Sequence, residues 1–164
     1  MTNDWLENFS KDTLDNLSDH IDIRFPMYIP SKGRSDLKLT TQALEDVDID
    51  FYVVVEPQDY NDYLEHYDST QLVKMEENNQ GIGYVRNACK QHSLSIGAEY
   101  HWQLDDNIKD FRIREDGKNV VKNTRNILSA AEHIVTRFDN IGIASLSHVM
   151  FAWTKESDDS SHTK

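Results

Sequence analysis

Asp105, Asp106 and Asn107 set two carboxylates and an amide side by side, directly after the apolar run Tyr-His-Trp-Gln-Leu at residues 100–104. A buried strand ending in that trio places hard oxygen ligands where open α/β sheets bind their ligands. Neighbouring like charges are costly unless water, a cation or hydrogen-bond donors offset them, and Mg2+ or Mn2+ bridging a substrate diphosphate is one such offset. The other reading of the same residues is a strand-to-loop turn in which an aspartate caps the next element. The segment alone fits both.

Two further loops carry groups of the same kind. Pro30, Ser31, Lys32, Gly33 and Arg34 supply a hydroxyl, two cations and a glycine after a strand-like run. They could hold a base or phosphate oxygens, or form a solvated turn, and they match neither the Walker loop nor the dinucleotide glycine pattern. Residues 78–87 (Asn-Asn-Gln-Gly-Ile-Gly-Tyr-Val-Arg-Asn) join a polar turn containing Asn79 and Gly81 to the start of a helix. Unbonded N–H groups there suit an anion. Arg86, one turn later, could reach a diphosphate or the carboxylates, or pair with a surface acid.

Other reactive side chains carry less. His101 reads as a hydrogen-bonded sheet residue, whereas His148, flanked by Ser145 and Ser147, is the better late candidate. The single cysteine, Cys89, falls in a helical pattern beside Ala88 and reads as a buried thiol of a reducing compartment. No spacing suggests covalent catalysis, and no paired cysteines suggest zinc.

The elements that must position these groups alternate. Strands are expected at residues 24–29, 51–55, 71–75, 100–104 and 110–114, with one or two more at 141–153. Helices are expected at 37–47, 58–66, 84–92 and 123–138. Phe-Tyr-Val-Val-Val at residues 51–55, closed by Glu56, is an unbroken apolar run and so a strand buried on both faces. Alternation of this kind gives a mostly parallel sheet, with the loops at 30–34, 56–59 and 105–107 together at its carboxyl edge. Residues 1–22 read as an N-terminal helical segment, 23–154 as one α/β domain and 155–164 as a disordered tail.

The chain of 164 residues is 38% hydrophobic and carries a net charge of -12, with a mean hydropathy of -0.68. That charge argues against a generic nucleic-acid binder but leaves room for a local basic face. No apolar stretch reaches the roughly 20 residues needed to span a bilayer, and residues 1–8 lack the pattern of a signal peptide. A cytoplasmic protein is the expectation.

Taken in order, Pro30 to Arg34, Val-Val-Val-Glu ending at Glu56, residues 79–87 and Leu-Asp-Asp-Asn at 104–107 resemble the nucleotide-binding half of GT-A glycosyltransferases. The wording is most similar to the phage group of TET-associated glycosyltransferases, over about residues 25–115 and more weakly to about 153. The resemblance implies an α/β, GT-A/Rossmann-like, mostly parallel sheet flanked by helices. It implies sugar transfer from a UDP-sugar to an acceptor, in that group a hydroxymethylated pyrimidine of phage DNA, within the host cytoplasm and with no membrane partner. It implies Mn2+ or Mg2+ on the diphosphate, held by Asp106 and Asn107, with Asp105 on the ribose. Pro30, Ser31, Arg34, Glu56, Asn79, Gly81 and Arg86 are its implied nucleotide contacts, and Asp110 and His148 its candidates for proton transfer. Two departures stand out: the acidic motif is Asp-Asp-Asn, not Asp-x-Asp, and 57 residues follow it, short for a full acceptor region. A nucleotidyltransferase and a non-catalytic nucleotide-binding or interaction module of a phage are the competing readings.

Overall fold

The computed structural model describes residues 22–115 and 118–146. β1 (Met27–Pro30), β2 (Tyr52–Val55), β3 (Leu72–Lys74) and β4 (Trp102–Gln103) form one sheet in the order β3-β2-β1-β4. Every pairing in it is parallel, with Ile29 opposite Val53, Val54 opposite Val73 and Met27 opposite Trp102. Parallel neighbours need crossovers, supplied here by α1 (Leu39–Glu45), α2 (Tyr60–Leu64) and α3 (Ile82–Ser95). The expected α/β sheet is present.

β2 is an interior strand, as its apolar run requires. Val53, Val54 and Val55 are each at most 1% exposed, and full burial of such a side chain contributes roughly 1.5–3 kcal/mol. Side chains alternate between the faces. Met27, Ile29, Val53 and Val55 join Leu44, Phe51, Tyr63 and Leu128 in one cluster. Tyr28 and Val54 join Met75 and Cys89 in the other. Cys89 is therefore the buried thiol expected of it, and burial pushes its pKa up to about 12.

Three expectations change. The strand expected at 100–104 shortens to two residues at the sheet edge, where Trp102 is half-buried and Gln103 exposed. β5 (Arg112–Glu115) lies outside the parallel sheet and pairs antiparallel with β6 (Lys118–Val121), a strand the sequence did not announce. Ile113 packs against the larger core cluster while Val121 stays exposed, so this hairpin has an inner and an outer side. Residues 141–146 form no strand. The rest of that expected region, residues 1–21 and the tail lie outside the described residues.

α4 (Thr124–Val135) contributes Ile127, Leu128 and Glu132 to the buried set. By contact density the chain divides after His133. In the second unit, single turns link Arg137 N to Ile134 O at 3.2 Å and Phe138 N to Val135 O at 3.4 Å.

Candidate active site at the carboxyl edge of the sheet

From β1 the chain winds outward to β2 and β3, then returns to place β4 on the other side of β1. The winding reverses between β1 and β4, and open α/β sheets bind ligands at such a switch point. Ser31 follows β1 there, and Asp105 and Asp106 follow β4 by two and three residues. Leu104 N donates to Tyr28 O at 2.9 Å and Ser31 N to Val54 O at 3.0 Å, which ties both loops to the sheet.

Asp106 is only 5% exposed. Its Oδ2 accepts from Ser31 Oγ at 2.7 Å and from Arg34 Nη2 at 3.0 Å. Tyr63 of α2 donates its hydroxyl to Ser31 Oγ at 2.7 Å, and Arg34 N donates to the Tyr63 hydroxyl at 3.3 Å. These bonds close a ring that leaves from the Arg34 backbone and returns through its guanidinium. Arg34 is thus an engaged cation, paired with Asp106, and not one of the solvated cations of an ordinary turn. Asp106 is no helix cap either, because its partners are side chains of another loop. No buried side-chain polar atom among the described residues lacks a partner. Asp106 Oδ1, for which no bond is found, therefore reaches solvent.

Asp105 and Asn107 are exposed. The turn that bears them is held from behind by Thr40 of α1, fully buried, whose hydroxyl donates to Asp105 O at 2.5 Å and accepts from Ile108 N at 2.8 Å. Neither Thr40 nor Tyr63 was visible in the sequence as a site residue; each looks like one more position on a helix.

The second loop is organised by Glu56 at the end of β2, a buried acid. Lys32 Nζ lies 2.9 Å from its Oε2, Asn79 N donates to Oε1 at 3.0 Å and Gln58 Nε2 to Oε2 at 2.7 Å. Burial alone would raise the Glu56 pKa. The Lys32 and Asn79 hydrogen bonds and the Lys32 charge more than offset it, so the carboxyl sits below its ordinary value. Gly33, at φ +60°, donates its N–H to Asp59 Oδ2 at 3.0 Å. Gly81 starts α3 at φ +82° with no side-chain cap, leaving first-turn N–H groups suited to an anion. Arg86 is exposed and forms no ion pair among the described residues.

The fold thus gathers Pro30 at the end of β1 and Ser31, Arg34, Glu56, Asn79, Gly81, Asp105, Asp106 and Asn107 on the loops at one edge of the sheet, with Arg86 in the second turn of α3. Asp110 stands apart in a bidentate pair with Arg112, at 2.6 and 2.8 Å. The Arg112 hydrogen bonds hold its carboxyl below the usual range. His148 lies outside the described residues. His101, just before β4, bonds Gln103 Nε2 at 2.9 Å and packs edge-on against Tyr28, as a sheet-side histidine. A cavity of about 920 Å³ opens at the opposite, amino-terminal end of the strands, among Phe25, Asp48, Tyr52 and Ile96. It is remote from this chemistry.

A family model described as TET-Associated Glycosyltransferase matches residues 25–163. The chain belongs to that family. This glycosyltransferase keeps the ordered loops of its resemblance and adds the bonds that join them. No curated protein and no solved structure matches the chain. None of the described helices is long and apolar enough to cross a membrane.

Proposed function

We propose that the protein transfers a sugar from a nucleotide sugar, a UDP-sugar on the resemblance, to a hydroxyl acceptor such as a hydroxymethylated pyrimidine in DNA. The observation that carries this is the meeting of Ser31, Arg34 and Asp106 at the β1/β4 switch point. There the diphosphate finds cations from one side and carboxylates from the other. In the reaction the bond from the sugar's anomeric carbon to the diphosphate breaks, a bond to the acceptor oxygen forms, and the acceptor proton leaves to a base. Asp110 and His148 are the candidates for that base.

Among the described residues no group of three His, Cys, Asp or Glu side chains could hold a metal unaided. A cation here draws further oxygens from the ligand, and one or two carboxylates plus phosphates is how Mg2+ is usually held. The donor set fits, because Asp105 is exposed beside Asp106 and Asp106 keeps an oxygen open to solvent. Asp106, Asp105 and Asn107 would hold Mn2+ or Mg2+, which supplies Lewis-acid stabilisation of the departing diphosphate. Arg34 and Arg86 add positive charge near the same oxygens, and Asp105 also accepts from the ribose.

A polyanionic acceptor needs local cations on a chain of net charge -12. Lys109 is exposed beside the acidic turn, and we assign that side to the acceptor. Release of UDP from UDP-glucose or UDP-GlcNAc with hydroxymethylated DNA, with and without Mn2+, tests the proposal. Metal-dependent turnover supports it. Absence of UDP release, together with formation of a nucleotide sugar from UTP and a sugar-1-phosphate, would replace it with a nucleotidyltransferase.

A further inference from the structure

Tyr63 sits on α2 with 1% of its surface exposed, too deep for a ligand to touch. Its hydroxyl nevertheless begins a chain of bonds that ends on Asp106. The direction of that chain is fixed. A backbone N–H can only donate, so the bond from Arg34 N at 3.3 Å makes the Tyr63 oxygen the acceptor there. The phenol's one proton goes to Ser31 Oγ at 2.7 Å. A carboxylate only accepts, so the Ser31 proton goes to Asp106 Oδ2, also at 2.7 Å. A Ser31 hydroxyl turned towards Tyr63 instead would leave the Tyr63 proton without an acceptor among the described residues.

This polarity decides how the acid is presented. Oδ2 of Asp106 faces the protein, with Ser31 on it and Arg34 Nη2 at 3.0 Å, while Oδ1 reaches solvent. Ser31 in turn has no proton left for a ligand, so it serves the acid and can only accept from whatever binds beside it. Groups that hydrogen-bond a metal-ligating side chain orient it, and their loss weakens metal binding even though they never touch the ion.

We propose that Tyr63 is a positioning residue for the cation. Acting through Ser31, it keeps Asp106 Oδ2 turned into the protein and Oδ1 turned to the metal, which Asp106 then holds through that one oxygen. This inference rests on the metal-dependent nucleotide-sugar reading of the site.

Calorimetric titration of the full chain with UDP, without metal and across a series of Mn2+ concentrations, tests it. The readout is the Mn2+ concentration that gives half of the metal-dependent gain in UDP affinity. Tyr63→Phe removes one hydroxyl and keeps the ring. It should raise that midpoint about tenfold, with metal-free UDP affinity at the parent value. Ser31→Ala cuts the chain one bond nearer the acid and serves should Tyr63→Phe fail to fold. A folded variant of either kind whose midpoint stays at the parent value, even with UDP affinity lowered alike with and without metal, would leave Tyr63 a structural residue and overturn the inference. Because Tyr63 acts through Ser31, the two substitutions together should raise the midpoint no further than the larger single effect. Increases that multiply would give Tyr63 a separate route and also overturn it. A parent that binds UDP with no gain from Mn2+ would remove the metal and this inference while sparing the nucleotide site. A parent that does not bind UDP would sink the nucleotide reading as well.

Discussion

The Ser31 hydroxyl donates to Asp106 Oδ2 at 2.7 Å across 75 positions of sequence. That bond joins the loops after β1 and β4, the two strands between which the sheet reverses its winding. It also changes what the acid does, because a carboxylate held by a hydroxyl and a guanidinium supports the fold even when no cation is bound.

Asp106→Ala should therefore destabilise the protein with or without metal. It leaves the buried Ser31 hydroxyl and the Arg34 guanidinium without their acceptor, a loss of about 1–3 kcal/mol. Urea unfolding in the presence and absence of Mn2+ measures it. A mutant at least as stable as the parent would mean that repulsion at Asp105 and Asp106 dominates and the ring contributes nothing.

Asp105→Asn separates binding from folding. Its side chain is exposed, so stability should stay within about 0.5 kcal/mol of the parent. The metal-dependent thermal shift produced by a UDP-sugar should disappear. A shift of undiminished size would remove Asp105 from the site.

Glu132 makes the opposite case, an acid that folds the protein and stays out of the chemistry. Buried on α4, it accepts from Arg24 N at 2.9 Å, Phe25 N at 3.2 Å and Trp102 Nε1 at 2.9 Å, near the start of β1 and on β4. Glu132→Ala should cost about 3 kcal/mol or more in guanidinium chloride. Nucleotide affinity of the folded protein should not change. Weakened binding at full folding would mean that this end of the strands communicates with the other.

Acid should weaken the fold through His92 and His101. Burial lowers both pKa values, with the nearby Lys90 charge adding to the effect at His101. Unfolded histidine titrates near about 6.5. As pH falls below that value the unfolded chain takes up protons first, so stability present above it is lost on the way down. His92 also bonds the Tyr28 hydroxyl at 2.8 Å and packs on Tyr52, so His92→Gln should flatten the slope. Thermal melts at pH 7.5 and 5.5 compare the two proteins. An equal slope in both would clear His92 of the effect.

The proton acceptor can be assigned by its pH profile. Removing the true base, through Asp110→Asn or His148→Ala, should lower kcat about 100-fold while donor affinity holds. Because the Arg112 pair keeps the Asp110 carboxyl low, a rate governed by Asp110 should hold its plateau down through the ordinary carboxylate range. A plateau that instead ends near about pH 6.5, where an unperturbed histidine titrates, points away from Asp110. If neither substitution lowers kcat, the base lies elsewhere.

Much of the architecture is legible in residue types. The run at residues 51–55 has no polar position to offer solvent, so it had to be an interior strand, and β2 is one. Alternating strand and helix patterns force crossovers, hence a parallel sheet with its loops on one edge. The ordered motifs on those loops identify the family, because each keeps its place behind a particular strand.

Tertiary structure decided the rest, since hydrogen bonds between distant residues leave no periodic trace. Thr40, Tyr63 and Glu132 look like ordinary helix positions until the fold sets them against Asp105, Ser31 and Trp102. The β5–β6 hairpin escaped notice because its second strand, Lys-Asn-Val-Val, is too short and polar to display a period. Glu56 is the sharpest case. Its sequence position marks an acid at a strand end, but only the fold brings Lys32, Gln58 and Asn79 from three loops onto its oxygens.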